Sequence, residues 1–327
     1  MKMGNKNILI GLLTAAVGSF SPLYGAEDEK THGFLTTEKT APVVYMTKDI
    51  SPEGLEKVYR ALGKIPDGKV AVKLSTGEAG NNHYLSPDLI KNLVQSINGT
   101  IVECNTAYGG PRMNTAMHRQ VAEDHGFTAI AEVDIMDAEG SMSIPVTGGK
   151  HLKEDLVGKN LANYDSVMVL SHFKGHAMGG FGGAVKNISI GIASSEGKSL
   201  IHSGGTAKKG FSMSWNHINF LESMAEAAKG VVNYIGEENM LYISVMNNIS
   251  VDCDCDGNPA APDMHDIGIF ASLDPVALDQ ACVDQIYNAP DGQSVVERME
   301  SRQGTHTLKY AEEIGLGNRS YQLISVE

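Results

Sequence analysis

Short apolar runs alternate with amphipathic segments along most of this chain. Residues 43–46 read as a strand, and Ser51-Pro52-Glu53 opens a helix to about Leu62, with Pro at a first-turn position where its missing N–H costs nothing. Residues 70–74 read as a second strand. Ser86-Pro87-Asp88 starts a helix that sets Leu89, Ile90, Leu93, Val94 and Ile97 on one face. Residues 100–104 predict a strand, 114–125 a helix stopped by Gly126, and 130–136 another strand. Further on, 167–170, 241–246, 267–271 and 321–326 read as strands. Helices are predicted over 220–235, 275–287 and 297–314. Such regular alternation predicts an α/β fold with layers of helices flanking a mainly parallel sheet. Residues 42–327 read as one α/β domain, and two lobes divided near 138–165 are equally compatible with the pattern.

The first 41 residues break that rhythm. Lys2 and Lys6 precede an apolar run over 8–20, and small residues Gly25 and Ala26 precede an acidic stretch. This pattern predicts a signal peptide over 1–26 and an exported protein, periplasmic or secreted. The run is too short for a comfortable membrane span, so no stable span is expected after cleavage. Residues 27–41 read as a polar lead-in. A net charge of −13 argues against nucleic-acid partners, which need clustered Lys and Arg.

Candidate chemistry concentrates after predicted strands, where open α/β sheets bind ligands. The segment 171–202 is glycine-rich and holds three histidines and three lysines. Glycines there let backbone approach a ligand closely. His172, His176, Lys186 and His202 are the candidate catalytic residues, with Gly182, Gly183 and Asn187 as candidate ligand contacts. A lysine in such a loop can hold an anion, or act as an amine nucleophile once desolvated. The segment 105–112, NTAYGGPR, adds Asn105 and Arg112, whose guanidinium could clamp a carboxylate or phosphate. A small anionic substrate or ligand is the expected partner. The sequence sets neither substrate nor oligomeric state.

Cys253, Cys255 and nearby His265 form a candidate metal group. Thiolates with imidazole suit iron or zinc better than calcium. Two thiolates alone are too few for an iron–sulfur cluster. With one residue between them, Cys253 and Cys255 are not expected to bond to each other, and pairing of Cys104 with Cys282 stays open. In SLDPVALDQA, Ser272 or Asp274 is expected to cap the helix that Pro275 opens, and the alternative is anion binding at that helix N-terminus.

The blocks VAVKLSTGE, ECNTAYGG, LSHFKGHAMGGFGGAVKN, VDCDCDGNPAAP and DIGIFASLDPVALDQA resemble those of the domain of unknown function 362 family, over roughly residues 43–325. That resemblance implies an uncharacterised iron–sulfur-type protein, although the CxxC runs of the family's ferredoxin-like module are absent here. Locally, His176, Lys186 and His202 are similar in spacing to a motif of lactate racemase-type nickel-pincer enzymes. In those enzymes the lysine tethers the cofactor, the later histidine ligates nickel and the earlier one serves proton and hydride chemistry. The expected function is therefore an exported, metal-associated enzyme acting on a small anionic substrate. A non-catalytic metal or redox module at the Cys-x-Cys segment and an envelope ligand-binding protein are the alternatives.

Overall fold

The backbone of a computed structural model, described over residues 33–327, follows the alternation read from the sequence. The leader predicted over 1–26 and the start of the lead-in lie outside the described residues. In chain order the elements begin with β1 (Val43–Thr47), α1 (Pro52–Ala61), β2 (Val70–Lys73), α2 (Pro87–Ser96), β3 (Thr100–Glu103), α3 (Thr115–Asp124) and β4 (Val133–Ile135). A hairpin of β5 (Ser141–Pro145) and β6 (Glu154–Gly158) follows, then β7 (Ser166–His172), β8 (Lys174–His176), β9 (Gly180–Gly182), α4 (Ala184–Ser189) and α5 (Ser195–His202). The last third holds α6 (His217–Ile235), β10 (Met240–Met246), β11 (Gly268–Ser272), α7 (Pro275–Asn288), α8 (Gln293–Ser301), α9 (His306–Glu313) and β12 (Gln322–Ser325).

Eight strands form one sheet in the order β12-β1-β11-β10-β7-β2-β3-β4. All neighbours run parallel except β11, which is antiparallel to both β1 and β10. Side-chain alternation splits each strand between two cores. Val70, Val72, Met168, Leu170, Leu241 and Ile243 pack with α1 and α2, while Ala71, Val167, Val169, Met240 and Tyr242 pack with α4, α6 and α7. A third apolar cluster joins the β5–β6 hairpin to α5 and α6. The described residues form one compact unit, the 138–165 region being the hairpin and its flanks.

Ser51 caps α1 as its sequence predicts, Ser86 starts α2 without a side-chain cap bond, and Asn114, read as helical, is instead the cap of α3. Ser51 and Asn114 accept N–H bonds from Gly54 and Met117. The single helix predicted over 297–314 is corrected to two, α8 and α9. Gln303 between them takes a positive φ of 53°, which no helix interior tolerates. The strand predicted over 130–136 contracts to β4, because the N–H groups of Ile130 and Ala131 donate back to the Phe127 carbonyl of a preceding 3₁₀ turn.

Chain order fixes where a ligand can sit. The chain lays down β2, β3 and β4 on one side of β7, and β10 on its other side. The carboxyl ends of these parallel strands share one edge, and the order reverses at β7, which creates a crevice there.

Candidate functional site

The segments leaving β2, β3, β7 and β10 enclose a cavity at that crevice. Its wall includes Lys73, Glu103, Arg112, Lys174, Lys186 and Lys198. Ring and sulfur chemistry comes from His172, His176, His202, Cys253 and Cys255. Five basic side chains face the space against two acidic ones, Glu103 and Asp254, in a chain whose net charge is −13.

Most of these cations are committed to partners. Arg112 donates from Nε to Glu78 at 3.1 Å, and its Nη1 lies 3.6 Å from Glu103. It lines the cavity, but the guanidinium expected to clamp a ligand holds carboxylates of the chain itself. Lys174 pairs with Asp254. Lys73 donates to the Leu74 carbonyl and, at 3.0 Å, to Asn187 Oδ1. Lys198 donates to the Ala193 carbonyl. Lys186 alone among these cations makes no hydrogen bond or ion pair with the described residues. Burial, then the charges of Lys174 and Lys73, push its amine down to about 7, and burial lowers Lys73 to about 8.

Lys186 is set in place by α4, the short helix that ends the glycine-rich run. The first N–H groups of that helix, from Ala184 and Val185, donate to Asp279 of α7 at 2.7 and 2.9 Å. Gly183 is required there because a Cβ would lie 2.3 Å from Asp279 Oδ1. Asn187 is fixed by donating to the Lys73 carbonyl and to Ser171 Oγ.

Of the three histidines lining the cavity, His176 and His202 have opposite proton placement. His176 Nδ1 accepts from the backbone N–H of Met178 at 3.2 Å and of Gly179 at 2.8 Å, which assigns the ring proton to Nε2. His202 Nδ1 donates to the Lys198 carbonyl at 2.6 Å, which leaves Nε2 as a bare acceptor. Its ring stacks on Phe220. Burial lowers His202 to about 4 and holds His176 well below its ordinary value, so both rings are neutral at neutral pH.

Other predicted residues are placed differently. His172 lines the cavity, but both of its nitrogens are used: Nε2 donates to the Asn247 carbonyl at 2.6 Å, and Nδ1 lies 3.0 Å from both Asp254 and Lys174. It positions the 253–255 loop and has no nitrogen free for proton transfer. Asn105 sits outside the wall, bonded to Thr115 and His118. His265 is exposed on Asp291 at 2.7 Å and is absent from the cysteine group, which corrects its assignment as a metal ligand. Asp274 caps α7 through Val276 and Ala277 N–H and does not line the cavity.

Cys253 and Cys255 form a disulfide, against the sequence expectation. An extended chain would separate their Cα atoms by roughly 7 Å. A turn closed by Asp256 N–H on the Cys253 carbonyl brings them to 5.2 Å, inside the usual disulfide range. A ring this small removes little freedom from the unfolded chain, about 1.6 kcal/mol in the loop-entropy account against about 3 kcal/mol for a 15-residue loop. Cys104 and Cys282 are both buried and free.

One ligand atom each from His176, Cys253 and Cys255 lie within 4.8 Å of one another, so by proximity this group could hold a metal ion. The chemistry as built does not fit one. The sulfurs are bonded to each other, and the His176 nitrogen nearest them, Nε2 at 3.9 Å from Cys255, carries the proton. A metal ligand would instead offer Nε2 bare, with Nδ1 donating to an acceptor.

Sequence reasoning missed Lys73, Lys174, Lys198, Glu103 and Asp254. Lys73 and Glu103 did leave a signal. Each is a charged residue ending a buried strand, VAVK and TIVE, where solvent is absent.

No curated protein matches the sequence. Among solved structures, the lactate racemase apoprotein from Thermoanaerobacterium thermosaccharolyticum is similar at 18% identity and a TM-score of 0.38, over 62% of this chain and 50% of that one. A protein from Thermotoga maritima is similar at 13% identity and a TM-score of 0.40, over 77% and 58%. The chain thus spans between half and three fifths of these proteins. The family described as Domain of unknown function (DUF362) matches residues 70–284, about two thirds of the sequence, and the chain belongs to that family.

Proposed function

We propose that this protein is an exported enzyme that binds a small anionic substrate in the cavity beyond β7 and transfers a proton there. The observation that carries the reading is Lys186, an unpaired amine on a wall with five basic and two acidic side chains. Lys186 meets the anion, aided by the donors that Lys73 and Lys198 still have free. His202 takes a proton at its bare Nε2, and His176 donates a hydrogen bond from Nε2–H. Supporting export are the basic, apolar and small-residue pattern of residues 1–26 and a disulfide, which persists in oxidising compartments.

Calorimetric titration with inorganic phosphate, acetate and malonate tests this. At least one should bind, and Lys186→Met should weaken it by about 10–100-fold, the worth of one charge-assisted hydrogen bond. Because Lys186 is charged only below about 7, affinity should fall as pH rises through that value, and the variant should lose that dependence. Absence of binding, or binding indifferent to Lys186, would overturn the reading.

The second reading is a metal or redox module, favoured by the proximity of His176, Cys253 and Cys255. In it, iron, zinc or nickel would be held by the reduced cysteines with His176 in its other tautomer. Metal analysis before and after reduction separates it from the first.

A further inference from the structure

We infer that the Cys253–Cys255 disulfide is a redox centre that exchanges with thiols, with His176 Nε2–H as the hydrogen-bond donor to the Cys255 sulfur. This goes beyond the anion-binding reading and does not rest on it.

Four observations point there. The bond lines the cavity and also an outer groove with Glu78, Tyr108 and Pro111, so its sulfurs face two approaches. Its two ends differ: Cys253 is buried and Cys255 is half-buried, which makes Cys255 the end a second thiol reaches. Each sulfur has a donor waiting. His176 Nε2 lies 3.9 Å from Cys255 Sγ, and the Cys255 backbone N–H donates to Cys253 Sγ at 3.3 Å. His176 keeps its proton on that side because two backbone N–H groups occupy Nδ1.

The loop also survives cleavage of its cross-link. Asp254, between the cysteines, is held by Lys174 and His172, and Gly175 N–H donates to the Ser250 carbonyl below it. Gly175 can approach so closely because it lacks a Cβ, which would meet the Val251 carbonyl oxygen at 2.4 Å. Anionic sulfurs released here would face Lys174 and Lys186 across the cavity.

The step balances with a dithiol as co-reactant. A thiolate of the dithiol attacks Cys255 Sγ, the Cys253–Cys255 bond breaks, and Cys253 leaves as a thiolate. The second thiol of the dithiol then displaces Cys255, closing the reagent's own disulfide. The dithiol loses two electrons and two protons. Both cysteines are reduced, and the two protons end on their sulfurs.

Dithiothreitol acting on the folded full-length protein is the test. Native oxidised protein should show no reactive thiol. Brief reduction and desalting should expose two, with little change in melting temperature. In Cys253→Ser the remaining Cys255 should trap thionitrobenzoate as a mixed disulfide, whereas in Cys255→Ser the remaining Cys253 should react far more slowly. His176→Ala should slow reduction by about tenfold, the worth of one hydrogen bond to a charged sulfur. A disulfide that resists dithiothreitol until the protein unfolds would overturn the inference. So would faster trapping at Cys253, or reduction indifferent to His176. Phosphate binding by Lys186→Met reads the other proposal separately, so either can fail alone.

Discussion

His176 and His202 show how one residue type acquires two chemistries from its backbone partners. Two N–H donors on Nδ1 make His176 a donor at Nε2, and one carbonyl on Nδ1 makes His202 an acceptor at Nε2. Neither assignment is legible in sequence, because each depends on which backbone group meets the ring. Asp274 is the contrary case. A cap just before Pro275, from Ser272 or Asp274, is legible in sequence, and the structure assigns it to Asp274, whose Oδ1 accepts from Val276 and Ala277 N–H and whose Oδ2 accepts from Asn318 N–H. Asp274→Ala should therefore cost about 1–2 kcal/mol, read as a fall of roughly 2–4 °C in melting temperature. Phosphate affinity should be unchanged. A large loss of affinity at constant melting temperature would mean that this helix end serves the site.

The glycine-rich segment reads as a loop in sequence and folds as four elements: β8, β9, α4 and α5. Its strands are three residues long and α4 is six, shorter than any window in which periodicity can show. The sheet strands and long helices were legible because burial imposes a period of 2 or 3.6 on enough residues. The 171–202 cluster stood out in sequence by its density of histidines, lysines and glycines, and His176, Lys186 and His202 do line one cavity. Lys198 and Asp254 did not stand out, since only the fold turns them toward the same space. Packing of α4 gives the element-scale prediction. Asp279 cannot retreat from a Cβ at Gly183 without abandoning Ala184 and Val185 N–H. Gly183→Ala should cost about 1–3 kcal/mol as overpacking. It should also weaken phosphate binding, since α4 carries Lys186. Denaturant unfolding and calorimetry on one preparation check both, and a variant neutral in both would show that α4 is not locked by Asp279.

Across the whole molecule, buried carboxylates divide into two sets with opposite pH signatures. Burial would raise Glu222, but hydrogen bonds from Lys150, His151 and His306 outweigh it and hold the group at about 2. Asp254 is held at about 2 by Lys174 and His172 against the same opposition. Their folded values lie below the ordinary ones. The stability they contribute is present above about 4 and is lost as pH falls toward 2. Asp155 and Asp279 behave in reverse, because burial raises both to about 7 against their backbone hydrogen bonds. The folded chain keeps those protons up to 7 while the unfolded chain releases them near 4, so their contribution is complete below about 4 and is lost as pH rises through 7. Two variants separate the sets in urea unfolding between pH 2 and 7. Glu222→Gln should destabilise at pH 6, with the difference from the native protein shrinking as pH approaches 2. Asp155→Asn keeps a neutral side chain at every pH. Its stability relative to the native protein should rise steadily from pH 4 to 7. Differences that stay constant across the range would mean that neither group changes its proton affinity on folding.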